Sequence, residues 1–159
     1  MAAAPSLTMV YLYFDFGWRG RSCMAPSCLS NIASIVNFPP LRNLTLYNCE
    51  VTHRDIPALF GKIVNTLEVV SLQSIVFSSA TTSSMREHLA LLRSGSILDF
   101  KLDSWFAGEC EIVFIGDVGT SNCTVDDSVA DGAVVALAYH GEDSVREGLR
   151  RMLECVAII

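Results

Sequence analysis

No run of this 159-residue chain is long and apolar enough to cross a bilayer as a helix. The best candidate, Leu7–Phe16, is interrupted by Asp15 and falls far short of the roughly 20 residues a crossing needs. No basic residue precedes Arg19, so the N-terminal Met-Ala-Ala-Ala-Pro-Ser lacks the charged n-region of a secretory signal. None of the six cysteines (Cys23, Cys28, Cys49, Cys110, Cys123 and Cys155) falls into CxxC spacing, and no Cys/His cluster has zinc spacing. They read as thiols of a reducing compartment, which predicts an intracellular protein, cytoplasmic or nuclear. Without secretion the Asn-x-Thr sequons at Asn43 and Asn122 have no consequence. Charge is sparse as well. Only 18% of residues are charged, the net charge is −6, and Arg19 with Arg21 is the only tight basic pair near the start. That balance argues against nucleic acid or an anionic membrane as a partner. With 51% hydrophobic residues the chain is globular, and its length fits one domain, 1–159.

What is present is a repeat. The pattern Leu41-Arg-Asn-Leu44-Thr-Leu46 recurs as Leu67-Glu-Val-Val70-Ser-Leu72 and as Ile97-Leu-Asp-Phe100-Lys-Leu102, apolar at the first, fourth and sixth positions. The starts lie 26 (67 − 41) and 30 (97 − 67) residues apart. An earlier copy, Leu7-Thr-Met-Val10-Tyr-Leu12, starts 34 residues (41 − 7) before the second and so carries an insertion, placed at the Gly17-Trp-Arg-Gly-Arg loop. A strand-plus-helix unit at this period is the signature of a leucine-rich repeat solenoid. The fold expected is therefore α/β, with about four strand–helix units side by side in a parallel sheet.

Helical patterns fill the gaps. Leu29, Ile32, Ile35 and Val36 form one stripe from about Ser27 to Val36, which Pro39-Pro40 ends. Ile56, Leu59, Phe60 and Ile63 form a second, with Asp55 as N-cap and Pro57 in the first turn. In the third gap Ser84-Met-Arg-Glu87 reads as a capping box, Met85, Leu89 and Leu92 as the stripe, and Gly95 as a left-handed stop. Beyond Leu102 the period degrades, and 104–159 reads as an irregular cap. Glu111–Gly116 and Ala133–Ala138 look like strands of an irregular last repeat or a hairpin, separated by the polar segment Asp117–Asp131. A final helix follows, opened by a box at Ser144-Val-Arg-Glu147. Its apolar face is Val145, Leu149, Met152, Leu153 and Val156, with Arg146, Arg150 and Arg151 opposite.

The run from Leu41 through Leu102, including Leu-Thr-Leu-Tyr-Asn-Cys49 and Thr66-Leu-Glu-Val-Val-Ser-Leu72, resembles the leucine-rich repeats of fungal F-box-type proteins, and Asp-Ser-Trp105-Phe106 is similar to the way such regions trail off. The resemblance implies that the repeats select a substrate for ubiquitination, while an N-terminal F-box binds the adaptor of a cullin ligase. Met1–Phe16 reads as a strand and shows no F-box pattern. Ubiquitin-ligase subunits are therefore expected as partners only through an F-box outside this chain.

Strand alternation singles out the residues that can meet a partner. Fourth and sixth positions point inward, so third, fifth and seventh positions face the open concave side. These are Met9, Tyr11 and Tyr13; Asn43, Thr45 and Tyr47; Val69, Ser71 and Gln73; and Asp99, Lys101 and Asp103. The surface grades from aromatic to charged, and tyrosine is enriched at binding hot spots. The expected function is binding another protein or peptide on this face, without a catalytic residue, cofactor or metal. The bland reading, ordinary solvent-facing strand residues, weighs about equally. A different class remains open: a small α/β enzyme or nucleotide binder using Gly116-Asp-Val-Gly119-Thr-Ser121, although that loop lacks GxGxxG or GxxxxGK[ST] spacing and Asp117 would repel phosphate. A truncated repeat fragment without its own activity is the third. His53, His88 and His140 belong to different units, with His88 at a core boundary. Cys49 packs the turn after its strand, and Asp126, Asp127 and Asp131 lack the order of a calcium loop.

Overall fold

The computed structural model of the chain describes residues 8–13, 41–128 and 133–159. The expected insertion at Gly17, the helix from about Ser27 to Val36 and the Pro39-Pro40 stop lie outside the described residues. In chain order the elements are β1 (Met9–Tyr13), β2 (Asn43–Thr52), α1 (Asp55–Ile63), β3 (Val69–Ser78), α2 (Thr82–Arg93), β4 (Asp99–Ala107), β5 (Cys110–Ile115), β6 (Cys123–Ser128), β7 (Ala133–His140), α3 (Glu142–Cys155) and β8 (Val156–Ile158). The fold is α/β. One open eight-stranded sheet runs β1-β2-β3-β4-β5-β7-β6, with β8 on β5 and a second pairing of β7 with β4.

The repeats form the parallel part. β1, β2, β3 and β4 pair parallel, and equal positions of each copy fall opposite one another: Val10, Leu44, Val70 and Phe100 in one line, Leu12, Leu46, Leu72 and Leu102 in another. Even the turns into the strands repeat. The Thr8 carbonyl accepts from the amides of Arg42 and Asn43, that of Arg42 from Glu68 and Val69, and that of Glu68 from Leu98 and Asp99, all at 2.7–3.0 Å.

The strands are longer than the six-residue pattern predicts, and the reason is a stacked irregularity. Asn48, Ser74 and Ser104 occupy equivalent positions and all have positive φ, 56°, 52° and 52°. Pairing skips them, passing from Tyr47↔Gln73 to Cys49↔Ile75 and from Gln73↔Asp103 to Ile75↔Trp105. Such an inserted residue shifts the side-chain phase by one. Inward positions therefore change from Leu44 and Leu46 to Cys49 and Val51, from Val70 and Leu72 to Ile75 and Phe77, and from Phe100 and Leu102 to Trp105.

All of these side chains are buried, with Ile56, Leu59, Phe60 and Ile63 of α1, Met85, Leu89 and Leu92 of α2, and Val145, Leu149 and Met152 of α3 in the same core. Burying a residue of this size contributes about 1.5–3 kcal/mol, so the helix-covered face holds the sheet together. Trp105, expected where the repeats trail off, lies in this core. Its ring meets Phe77 (5.3 Å) and Phe114 (6.4 Å) edge-on, joining the parallel strands to the antiparallel ones.

Helix starts differ from expectation. The capping box of α2 forms one turn earlier: Thr81 is the N-cap, its Oγ1 accepts from the Ser84 amide at 3.2 Å, and the Ser84 hydroxyl accepts from the Thr81 amide at 2.9 Å. Ser84 serves as the third helical residue of the box, because a serine can reach back as a glutamate would. Asp55 is the first residue of α1, not its cap, and its carboxylate accepts from the Thr52 amide at 2.6 Å. No Ser144–Glu147 box forms. α3 starts at Glu142 after Gly141, and Ser144 is buried against the Thr120 hydroxyl and the Asn122 carbonyl. Gly95 is not left-handed; a Cβ there would lie 2.6 Å from the Val64 carbonyl oxygen, so close packing excludes a side chain.

The C-terminal part is more regular than expected. The polar segment contains β6, which forms an antiparallel hairpin with β7, while β5 touches β7 only at Phe114↔Val134 and Ile115↔Ala133. β7 runs mainly between β6 and β4, pairing Asp99–Asp103 antiparallel; beyond Ser104, β4 pairs β5 instead.

The open sheet face as candidate functional site

The described helices lie on one face, and the registers arrange the other as three rows. Met9, Asn43, Val69 and Asp99 form the first, Tyr11, Thr45, Ser71 and Lys101 the second, and Tyr13, Tyr47, Gln73 and Asp103 the third. Every side chain named from the sequence for this face lies on it, half-buried or exposed, while their neighbours in the strands are inward. Adjacent strands are ~4.8 Å apart, which brings the tyrosines of β1 and β2 into reach.

Tyr13 and Tyr47 do meet. Their rings stack with centroids 5.2 Å apart and planes 10° from parallel. Tyr11 stands two residues along the same face of β1, opposite Thr45. Met9, Tyr11 and Tyr13 remain 61%, 60% and 55% exposed, so much apolar area faces solvent at this end. At the charged end Ser104 donates its hydroxyl to Asp103 at 2.6 Å. Between the two ends Gln73 donates its amide to the Ser71 hydroxyl at 2.8 Å.

The pairing of β7 adds residues that strand alternation in the repeats did not reveal. His140, Ala138 and Ala136 sit opposite Asp99, Lys101 and Asp103, and His140 Nδ1 is 2.8 Å from the Asp99 carboxylate. The rows thus meet a fifth strand, on which His140 is exposed while Ala138 and Ala136 are buried. No repeat spacing links positions 99 and 140, so only the topology could place them together. Below the rows, at the entry to the strands, Arg42 and Glu68 pair at 2.6 Å beside a hollow of ≈380 Å³ that also involves Thr66, Ser96, Leu98 and Glu142.

The loop Gly116–Ser121 lies apart from these rows, and its polar groups are engaged internally. Asp117 accepts from the Gly119 amide at 3.1 Å, and Arg151 donates to Asp117 at 2.9 Å and to the Gly119 carbonyl at 2.5 Å. The buried Tyr139 hydroxyl donates to the Val118 carbonyl at 2.7 Å, and Thr120 bonds Ser144. Burial pushes the Tyr139 phenol well above its ordinary pKa. On the outer side of α3, hydrogen bonds from Arg150 and Arg151 hold the Glu147 carboxyl down at about 2.

Cys49 and His88 are buried, as their placement in the pattern predicts. The His88 ring stacks on Phe77 at 5.8 Å with Nε2 3.3 Å from the His53 carbonyl, while Nδ1 has no partner. Among the described residues no three His, Cys, Asp or Glu side chains are grouped to hold a metal ion. Nor, among them, is any helix long and apolar enough to cross a membrane. Comparison of the chain with protein-family models, with curated proteins and with solved structures gives no match.

Proposed function

We propose that this protein is a protein-interaction module, a leucine-rich repeat solenoid whose concave sheet face receives another protein or peptide. The observation that carries the reading is the one-sided cover of the sheet. Helices bury the face of Leu44, Leu46, Val70 and Leu72, while the opposite face presents Tyr11, Tyr13 and Tyr47 with no helix above them among the described residues. Rigid aromatic side chains on ordered strands give a partner large contact area at low entropic cost. Repeat sheets use extended faces of this kind for binding. In keeping with the likeness of Leu41–Leu102 to F-box-type repeats, the module would serve as the substrate-recognition part of a ubiquitin-ligase adaptor, and meet ligase subunits, only if an F-box exists outside this chain.

The test is affinity capture from extract, followed by quantitative identification of what co-purifies. Tyr11→Ala with Tyr47→Ala should remove the specific partner while leaving the thermal midpoint near that of the parent, because neither ring enters the core. Arg146→Ala with Arg150→Ala, on α3, should leave capture intact. The reverse result would place binding on the helical side and refute the reading.

A further inference from the structure

The chemistry of the open face changes across the strands, and the third row carries the steepest change. It begins with the Tyr13–Tyr47 stack, passes Gln73, and ends at Asp103. The carboxylate is oriented by the Ser104 hydroxyl, yet that bond occupies one of about four acceptor positions a carboxylate offers. Beyond it stands Ala136 of β7, which is buried, so the accessible part of the row ends at the half-buried Asp103. The second acid of this strand, Asp99, is likewise held by a neighbour, His140, with its side chain 49% exposed. A chain with net charge −6 draws cationic partners toward such a row.

Geometry sets the spacing of a complementary ligand. From the midpoint of the tyrosine stack to β4 is two and a half strand intervals, ~12 Å at ~4.8 Å each. An extended peptide rises ~3.3 Å per residue, so that distance is three to four residues. Alternation then decides between them, since only residues an even number apart project to the same side. Resting on the interaction-module reading above, we propose that Tyr13, Tyr47, Gln73 and Asp103 form a recognition track for an extended peptide segment of a partner. That segment carries an aromatic or long apolar residue on the tyrosine stack and an arginine or lysine four residues away, at Asp103. The Gln73 amide lies under the intervening backbone.

Fluorescein-labelled peptides test this directly by anisotropy titration. The probes are Ser/Gly decapeptides carrying one Trp and one Arg at spacings of three or four, and a spacing-four peptide with Gln replacing Arg. A charge-assisted hydrogen bond predicts about tenfold tighter binding for spacing four than for spacing three or for the Gln peptide. Asp103→Asn should erase that preference and leave residual binding by the Trp. Tyr13→Ala with Tyr47→Ala should weaken every peptide. If the tyrosine pair matters but spacing and Asp103 do not, the face binds partners and the track is wrong. If neither the tyrosines nor Asp103 matters, or no peptide binds, the track falls; loss of tyrosine-dependent capture from extract would bring down the module reading as well.

Discussion

The Trp105 indole donates its Nε1–H to the Leu72 carbonyl at 3.0 Å, linking β4 to β3 through a side chain that is 1% exposed. This bond lies where the fourth repeat hands over to the antiparallel strands, between Phe77 and Phe114.

Trp105→Phe keeps most of the apolar volume, removes the donor and leaves a void smaller than that of Trp105→Ala. It should cost ~1–3 kcal/mol, the range for a buried acceptor losing its partner. Trp105→Ala adds a cavity and should cost ~3–5 kcal/mol. Urea unfolding of the two variants checks both figures. Equal stability of Trp105→Phe and parent would mean that packing alone, and not the hydrogen bond, fixes the ring.

Two glycines should respond with opposite signs. A Cβ at Gly95 would lie 2.6 Å from the Val64 carbonyl oxygen and 2.7 Å from its Cγ2, and a backbone carbonyl has little room to retreat. Gly95→Ala should destabilise by ~1–3 kcal/mol, as overpacking does. Gly61, inside α1, would place a Cβ with nothing within 4 Å. Gly61→Ala should stabilise by ~0.5–1 kcal/mol through helix propensity. Thermal melts of both variants decide the matter, and a shared sign would show that the space around one of them is misjudged.

The parallel half was legible because its information is local. Apolar residues at fixed offsets in each copy placed Leu44, Leu46, Val70, Leu72, Phe100 and Leu102 inward, and equal offsets put Tyr13, Tyr47, Gln73 and Asp103 in one row. The pattern stopped being readable at Asn48, Ser74 and Ser104, whose left-handed backbone reverses the alternation without marking it by glycine. Three later features depended on contacts distant in sequence. β6 is a polar strand that exists because β7 offers it an edge, Gly95 is required by Val64, and His140 reaches Asp99 only through the antiparallel return. The cap of α2 is hard to read in the sequence for a different reason, since Ser84 in the glutamate role of a box makes Thr81 a less visible signal.

His88 makes stability depend on pH. Burial lowers its pKa below the ordinary 6.5, opposed by the hydrogen bond to the His53 carbonyl and by the Glu87 charge; the His53 ring adds to the lowering. The folded state therefore resists the proton that the unfolded state accepts. Above about pH 6.5 both states hold a neutral ring, and His88 contributes no slope. Below it the unfolded chain binds the proton first, so stability falls with falling pH until the folded pKa is reached. His88→Phe removes this term. The stability difference between parent and variant should shift against the parent from pH 7 to pH 5, measured by urea unfolding at each pH. A difference that stays constant would show that the ring is solvated.

Arg151 bears on what the Gly116–Ser121 loop can do. Its guanidinium joins Asp117, the Gly119 carbonyl and Glu147, so one side chain of α3 fixes the loop from 32 residues away along the chain (151 − 119). The contact with Asp117 contributes little, because that carboxylate is 84% exposed and water screens it. The bond to the Gly119 carbonyl carries more, being charge-assisted and part-buried. Arg151→Lys keeps the charge and loses the planar fork that reaches two acceptors at once. It should speed amide hydrogen exchange at Val118, Gly119 and Thr120 by about tenfold, the equivalent of one charge-assisted hydrogen bond. Exchange in β3 and β4 should not change, since the clamp lies outside the repeat core. If exchange in β4 rose equally, α3 would be holding the whole sheet, and the loop would have no separate stability of its own.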